Sequence, residues 1–354
     1  MSNIELKKIT KTFPGVTALN DISINIKNGE FFVLLGPTGA GKTTTLRVIA
    51  GLEKQDEGDL LFDGEVINEL SPADRDTAFV FQQYSLYPTM TVYENLAFPL
   101  RSPMRQLGKE EIDKKVGETA EILHINHLLD RKTANLSGGE MQRVSIGRAI
   151  VRDPRIYLMD EPLSNLDAKL REALRVELQH LQKTQNSTTL FVTHDQIEAL
   201  TMADRIAVLN RGRIIQVGLP EDIYDRPATT FVAKLVGTPR INLFESEKEN
   251  GTLRIKKSDL HIPTPQDCEM PDQVLLGIRP EDIDPTPDGQ FVGEVTLKEP
   301  LGVETIIYIK SREQTITSLI SGTTDAKVGD KIKFNIIQER LHCFDPAGKR
   351  IQTK

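Results

Sequence analysis

The chain has 354 residues, 38% of them hydrophobic and 27% charged, which fits a globular protein of about two domains with enough length to bury a substantial core. A formal net charge of −7 argues against a protein whose main task is to grip nucleic acid. No apolar run approaches the roughly 18 residues that cross a bilayer, and the start does not read as a secretory signal, so any membrane role is expected to come through a partner. The two cysteines, Cys268 and Cys343, offer neither metal spacing nor a disulfide framework, which fits a reducing compartment.

Residues 4–26 carry short alternating apolar stretches, among them Ile22, Ile24 and Ile26, and predict strands of a small antiparallel element. Gly29 turns the chain into residues 31–35, Phe-Phe-Val-Leu-Leu, a run of the length and type of a buried strand. Next come Gly36, Pro37, Thr38, Gly39, Ala40, Gly41, Lys42 and Thr43, which match the phosphate-loop pattern in full. Thr44 then opens a helical pattern through residue 50, with Leu46, Ile49 and Ala50 at helical spacing and Gly51 as its stop. Strand, glycine loop and helix are what the chemistry requires. The glycines let backbone N–H groups wrap phosphate oxygens, and the new helix aims its positive end at the same oxygens. In that pattern Lys42 reaches the β- and γ-phosphates and the Thr43 hydroxyl ligates magnesium. A bare glycine turn is the plain alternative, and the full pattern in this context decides against it.

Residues 59–67 predict a strand pair turning at Asp63-Gly64, and residues 78–81 a further short strand. Residues 90–150 read as mostly helical, with Ile112, Val116, Thr119 or Ala120, and Leu123 recurring every three or four positions. Inside this block stand Leu136, Ser137, Gly138, Gly139 and Glu140. Ser-Gly-Gly ahead of a helix offers a hydroxyl, bare N–H groups and a positive helix end, a second anion site; a simple cap led by Ser137 is the structural alternative. Residues 155–159 form a buried strand that delivers Asp160 and Glu161 at its tip. Asp160 is placed to hold magnesium through water, and Glu161 to take a proton from an attacking water. Leu166, Leu170, Leu174, Leu178 and Leu181 make one helical stripe, read as core packing. Strands at residues 188–192 and 205–209 complete an alternation of helix and parallel-type strand, the mark of an α/β core.

Near residue 240 the texture changes. Gly237-Thr238-Pro239 suggests a link, and residues 274–278, 291–297, 303–309, 315–320 and 331–336 are short strands separated by Gly, Pro and Asp. They predict a separate small all-β domain of barrel type. The expected division is residues 1–236 and 237–354, with a helical subdomain at about residues 83–150.

The run from Leu136 to Glu140, standing between the phosphate loop and the Asp-Glu strand, carries a resemblance. Over residues 1 to about 240 the chain resembles the ATP-binding cassette family, with every expected motif in order. The resemblance implies an α/β fold with a RecA-like core, an antiparallel β element and a helical subdomain, followed by an OB-like barrel. It implies ATP and Mg2+ as ligands and two chains, read as an identical pair, facing head to tail. Each ATP then lies between one chain's phosphate loop and the other's Ser137, Gly138 and Gly139, with donors supplied in trans as an arginine finger is.

The family pattern also assigns roles to single residues. Phe13 takes the place of the aromatic that stacks on adenine, where many relatives have Tyr. Gln82 matches the glutamine that touches magnesium and water, with Gln83 one residue further as the alternative. Asp167, in Ser164-Asn165-Leu166-Asp167, matches the segment where the chains meet, and is otherwise a plain N-cap. His194, alone of the six histidines in such a context, matches the switch histidine that contacts the γ-phosphate. The implied catalytic set is Lys42, Gln82, Glu161 and His194; the implied metal set is Thr43, Gln82 and Asp160. Glu140 departs from the Gln of many relatives, without expected loss of function.

Gly277-Ile278-Arg279-Pro280-Glu281 resembles a run in the accessory barrel domains of importer ATPases, and the run from Gly237 to Asn242 resembles the hinge of sugar-importer ATPases, including those for maltose and glycerol phosphate. That likeness implies a carbohydrate, polyol or sugar-phosphate cargo, transmembrane permease subunits, an extracytoplasmic solute-binding protein, and a peripheral position on the cytoplasmic face of the inner membrane. Residues 83–95, with Tyr84, Tyr87 and Tyr93, are the expected groove for a permease helix. Polyamine, iron and sulfate importers share the architecture. A soluble cassette ATPase acting on DNA or ribosomes fits less well. The interval from Lys42 to Leu136 is too short for a long coiled coil and lacks sustained heptads, and there is one cassette only. Glu161 and His194 argue against a module that has lost hydrolysis.

Overall fold

The computed structural model describes residues 2–102, 107–249, 251–264 and 270–351; Cys268 lies outside them. Two compact units part between Pro220 and Glu221, so the two short helices that precede the expected link at residue 237 group with the C-terminal unit.

In the first unit β1 (Ile4–Phe13) and β2 (Val16–Ile26) form an antiparallel hairpin. β3 (Phe31–Leu35) follows, buried at every residue, and α1 (Lys42–Ala50) leaves the phosphate loop and stops on left-handed Gly51. β4 (Glu57–Phe62) and β5 (Glu65–Val66) are joined by Asp63 and Gly64, with φ of 52° and 85°, the left-handed pair that a two-residue hairpin turn demands. These strands make an antiparallel sheet in the order β2-β1-β4-β5.

β6 (Thr77–Val80) leads into three helices, α2 (Val92–Ala97), α3 (Lys109–Ile122) and α4 (Gly138–Ile150). The block at residues 90–150 is thus mostly helical, as its periodicity predicts. Between α3 and α4 the described chain runs in short turns, and Thr133 ties one of them back, its hydroxyl donating to Tyr87 O at 2.8 Å. The apolar face of α3 is the predicted one: Ile112, Val116, Thr119 and Ala120 are buried. β7 (Ile156–Asp160), α5 (Ala168–Gln185), β8 (Thr189–Thr193), α6 (Gln196–Met202), β9 (Arg205–Asn210) and β10 (Arg213–Gly218) complete the unit.

The central sheet runs β10-β9-β3-β8-β7-β6. Every pairing from β9 to β6 is parallel, and only β10 is antiparallel to its neighbour. Parallel strands covered on both faces carry continuous apolar runs, which is why β3, β7 and β8 show no alternation. One shared core joins Phe32 and Leu34 of β3, Leu46 and Ile49 of α1, and Ile4, Ile22 and Ile24 of the antiparallel sheet. Because the strands are parallel, the chain ends of β3, β6, β7 and β8 emerge on one edge, where ligands of open α/β sheets bind.

The second unit begins with α7 (Pro220–Asp225) and α8 (Thr230–Leu235). Ten short strands follow: β11 (Asn242–Glu249), β12 (Thr252–Ile255), β13 (His261–Pro263), β14 (Gln273–Ile278), β15 (Ile283–Pro285), β16 (Phe291–Pro300), β17 (Glu304–Ser311), β18 (Gln314–Ser321), β19 (Lys331–Ile336) and β20 (His342–Phe344). They form two five-stranded antiparallel sheets, β13-β12-β11-β14-β20 and β15-β19-β16-β17-β18. Both line one core that includes Leu253, Leu276, Val295, Ile307, Ile309 and Phe334, an all-β, barrel-like unit. Half of these strands lie outside the five predicted stretches. In β11 the reason is visible: Ser246 occupies a buried position and satisfies its hydroxyl by donating to Val274 O at 2.9 Å, so the apolar alternation is broken. Arg279 fastens α7 and α8 within this unit. It is almost wholly buried, donates to Ala233 O, Val236 O and Tyr224 O, and lies over the Tyr224 ring at 4.0 Å.

Candidate active site

The phosphate loop joins β3 to α1. Gly39 and Gly41 are left-handed, at φ 78° and 110°. Gly36 and Gly41 also sit against backbone: a Cβ on Gly36 would meet Leu209 O at 2.3 Å, and one on Gly41 would meet Ala18 O at 2.5 Å. No side chain fits there. Lys42 is 5% exposed. Its ammonium donates to Gly36 O at 2.9 Å and Pro37 O at 3.1 Å, and lies 3.2 Å from Glu161 Oε1.

Asp160 ends β7, 4% exposed, and accepts from the Thr43 hydroxyl at 3.0 Å. Burial pushes its carboxyl above the usual range, aided by the neighbouring charge of Glu161 and opposed by Thr43 and Lys42. A buried carboxylate beside a hydroxyl is a hard-oxygen donor set, and it fits a small divalent cation such as magnesium.

Glu161 follows at φ 45°. A non-glycine residue in the left-handed region carries strain of roughly 1–3 kcal/mol, a cost that clusters at functional sites. Its backbone is pinned on both sides. Glu161 N donates to Val192 O at 3.0 Å, and Ser164 Oγ donates to Glu161 O at 2.9 Å. The turn throws the carboxylate off the strand tip. There Oε1 faces Lys42 and Oε2 lies 3.0 Å from His194 Nδ1. His194 stands just beyond β8, about half exposed.

Lys42, Thr43 and Glu161 border a cleft of about 540 Å3 that Thr38, Gly39, Gly41, Thr44 and Gln82 also line, whereas Asp160 and His194 are not part of its lining. Gln82 enters it after β6, while Asn165 Nδ2 donates to the Gln82 carbonyl at 3.3 Å. Val16, Thr17, Ala18 and Arg211 also line it, and sequence reasoning missed all four. Val16 is 58% exposed and pairs across the β1–β2 hairpin with Phe13. Phe13 is half-buried outside that lining, with the Lys11 ammonium 5.2 Å from its ring. Arg211, left-handed at φ 47° ahead of left-handed Gly212, turns β9 into β10. The Arg-Gly pair is a turn signal that points to it.

Ser137, Gly138 and Gly139 do not line this cleft. Ser137 caps α4 in a full capping box with Glu140. A Cβ on Gly139 would lie 2.7 Å from Leu170 Cδ2, the far end of a side chain that can yield. The leucine stripe therefore serves two purposes. Leu174, Leu178 and Leu181 are core, while Leu170 forms the floor beneath Gly139. Asp167 caps α5, accepting from Leu170 N at 3.0 Å, and so sets that floor.

A phosphate loop, a metal-competent carboxylate at the tip of β7, a carboxylate–histidine pair beside them and a separate Ser-Gly-Gly helix start define a phosphate-loop ATPase of cassette type. The pattern of the ABC transporter family matches residues 19–164, and that of the TOBE domain matches residues 276–344. The chain is 44% identical to the sn-glycerol-3-phosphate import ATP-binding protein of Psychromonas ingrahamii, across 98% of this chain and 94% of that one. It is 43% identical to the trehalose/maltose import ATP-binding protein of Thermococcus litoralis, across 99% and 100%. Among solved structures, a dimeric post-hydrolysis state of the ATP-binding cassette MJ0796 bound to ADP and Pi aligns with a TM-score of 0.57 and 34% identity, covering 61% of this chain and 98% of that one.

The chain belongs to the ATP-binding cassette family of transporter ATPases. It is an ATPase that uses ATP and magnesium, and membership of an import-ATPase family implies membrane permease partners and dimeric cassettes. Among the described residues no helix is long and apolar enough to cross a membrane.

Proposed function

We propose that this chain energises a membrane importer, working as two identical copies on the cytoplasmic face of the inner membrane, with a carbohydrate or a related polyol or sugar phosphate as cargo. The observation that carries the site reading is Glu161, held off the tip of β7 between Lys42 and His194 and next to the Thr43–Asp160 pair. In this reading the N–H groups of Gly36 to Thr44 and the Lys42 ammonium hold the phosphates. Glu161 takes the proton of the attacking water, and His194 contacts the γ-phosphate. Phe13 and Val16 flank the base. Thr43, Asp160 and Gln82 would hold magnesium, which when bound would neutralise negative charge on the phosphates. Ser137, Gly138 and Gly139 of the second copy complete the site across a seam that includes Asp167. Catalysis is then mainly positioning and charge stabilisation.

The cargo reading is supported by what two relatives are named for, sn-glycerol-3-phosphate and trehalose/maltose. Permease subunits would dock on residues 83–95, where Tyr87 is exposed, packs at a tilt against Phe98 with ring centroids 4.6 Å apart and lies under Arg148; a solute-binding protein would act on the far side. The working division is a cassette of residues 1–236 and an accessory domain of residues 237–354, supported by the all-β character of the chain from Asn242 onward, although α7 and α8 group with the C-terminal unit.

Glu161→Gln is expected to keep ATP binding, lower turnover by about 10²-fold or more and accumulate an ATP-bound dimer. Phosphate release at the parent rate would overturn the general-base role. For the cargo, vesicles holding the permease and this chain should take up a labelled sugar or glycerol phosphate with ATP; uptake of sulfate or a polyamine instead would refute the carbohydrate reading.

A further inference from the structure

At the Ser-Gly-Gly turn the carboxylate of Glu140 is already bound to the start of its own helix. One oxygen, Oε2, accepts from Ser137 N at 2.7 Å and from the Ser137 hydroxyl at 2.8 Å. The return bond from Glu140 N to Ser137 Oγ is longer, 3.4 Å. The single hydroxyl proton of Ser137 is thus committed to Glu140. By contrast, the N–H groups of Gly138 and Gly139, the first two of α4, have no hydrogen-bond partner among the described residues, as expected for a helix start. Ser137 is exposed and both glycines are half-exposed. The turn therefore presents two free donors beside two, the Ser137 N–H and hydroxyl, that an internal anion occupies.

We propose that Glu140 is a built-in competitor of the incoming phosphate, setting the ATP concentration at which two copies close. The inference rests on the head-to-tail reading above. A γ-phosphate arriving from the other copy must draw the Ser137 proton away from Oε2 and settle a few ångströms from a second negative charge. The Ser137 N–H and hydroxyl hold the Glu140 carboxyl below the usual range, so the charge is present at neutral pH. Glutamine at this position makes the same two acceptor contacts without the charge. The capping box survives such a change and the repulsion does not. Glu140 is in this sense a positioning residue, acting on phosphate through Ser137.

The decisive comparison uses the full chain with Glu161→Gln, which holds ATP uncleaved, with and without Glu140→Gln. Dimer formation is followed by light scattering as ATP is titrated, at low and at high salt. The double variant is expected to dimerise at about tenfold lower ATP, equivalent to about 1.4 kcal/mol. The gap should narrow as salt screens the two charges, a dependence that a purely structural cap would not show. With Glu161 restored, Glu140→Gln should lower KM for ATP more than it changes kcat. Equal midpoints, or a gap indifferent to salt, overturn the Glu140 proposal while leaving the sandwich intact. If neither variant dimerises at any ATP concentration although both bind ATP, the head-to-tail reading falls and takes this inference with it.

Discussion

Gly139→Ala separates the stability of this protein from its chemistry. The added Cβ meets Leu170 Cδ2 at 2.7 Å and Leu166 Cδ2 at 3.8 Å. The tighter contact is with the far end of a half-buried leucine, which can rotate aside at a cost of roughly 0.5–1.5 kcal/mol for an off-rotamer side chain. Against that, alanine in a helix is about 0.5–1 kcal/mol better than glycine. The two nearly cancel, so the denaturant midpoint should move by less than about 1 kcal/mol. Turnover should fall much further, because a methyl group stands where a partner's phosphate must reach the helix N–H groups. Removal of one preorganised donor at a developing charge costs about 10²-fold or more in rate. The assays are urea unfolding, steady-state phosphate release, and ATP binding by the dilute monomer, which should be unchanged. A loss of several kcal/mol would show that Leu170 cannot yield. A matching loss of monomer ATP affinity would refute the placement of Gly139 outside its own nucleotide cleft. Adding Leu170→Ala should relieve any residual strain without restoring turnover.

Two further outcomes concern the C-terminal unit. Arg279→Lys keeps the charge but replaces a planar fork that serves three carbonyls and stacks on Tyr224 with a point charge; it should cost about 2–4 kcal/mol, read as earlier hydrogen exchange in α7 and α8, and exchange at the parent rate would show that the fork is dispensable. His342 is buried and lies beside the guanidiniums of Arg350 and Arg279, and it is lowered to about 3, so the folded ring is neutral where an unfolded one, near 6.5, binds a proton. The unfolded state therefore holds more protons between those values. This contribution is complete above about pH 6.5 and is lost as pH falls toward about 3, amounting to about 2 kcal/mol less stability at pH 5 than at pH 7. His342→Gln should flatten that slope in denaturant titrations, and an unaltered slope would assign the acid sensitivity elsewhere.

Much of the site can be read from the chain alone, because it is built from contiguous runs. The loop from Gly36 to Thr43 needs glycine for its own backbone, which is left-handed at Gly39 and Gly41, and the fold adds a second demand because Leu209 O and Ala18 O come too close for a Cβ on Gly36 and Gly41. Asp160 and Glu161 announce themselves by ending an apolar run, and the parallel sheet shows as uninterrupted hydrophobic stretches at β3, β7 and β8. Only folding could place Lys42 and His194 on opposite oxygens of Glu161, since these meetings depend on β3, β7 and β8 lying side by side in an order the chain does not visit in sequence. Val16 and Arg211 reach the cleft through turns whose direction follows from hairpin geometry, and half the C-terminal strands were hidden because polar residues such as Ser246 satisfy themselves inside the core. Local pattern records what each segment needs from its own backbone and its immediate solvent. Which distant segment supplies a partner is settled by strand order and burial, and these belong to the whole fold.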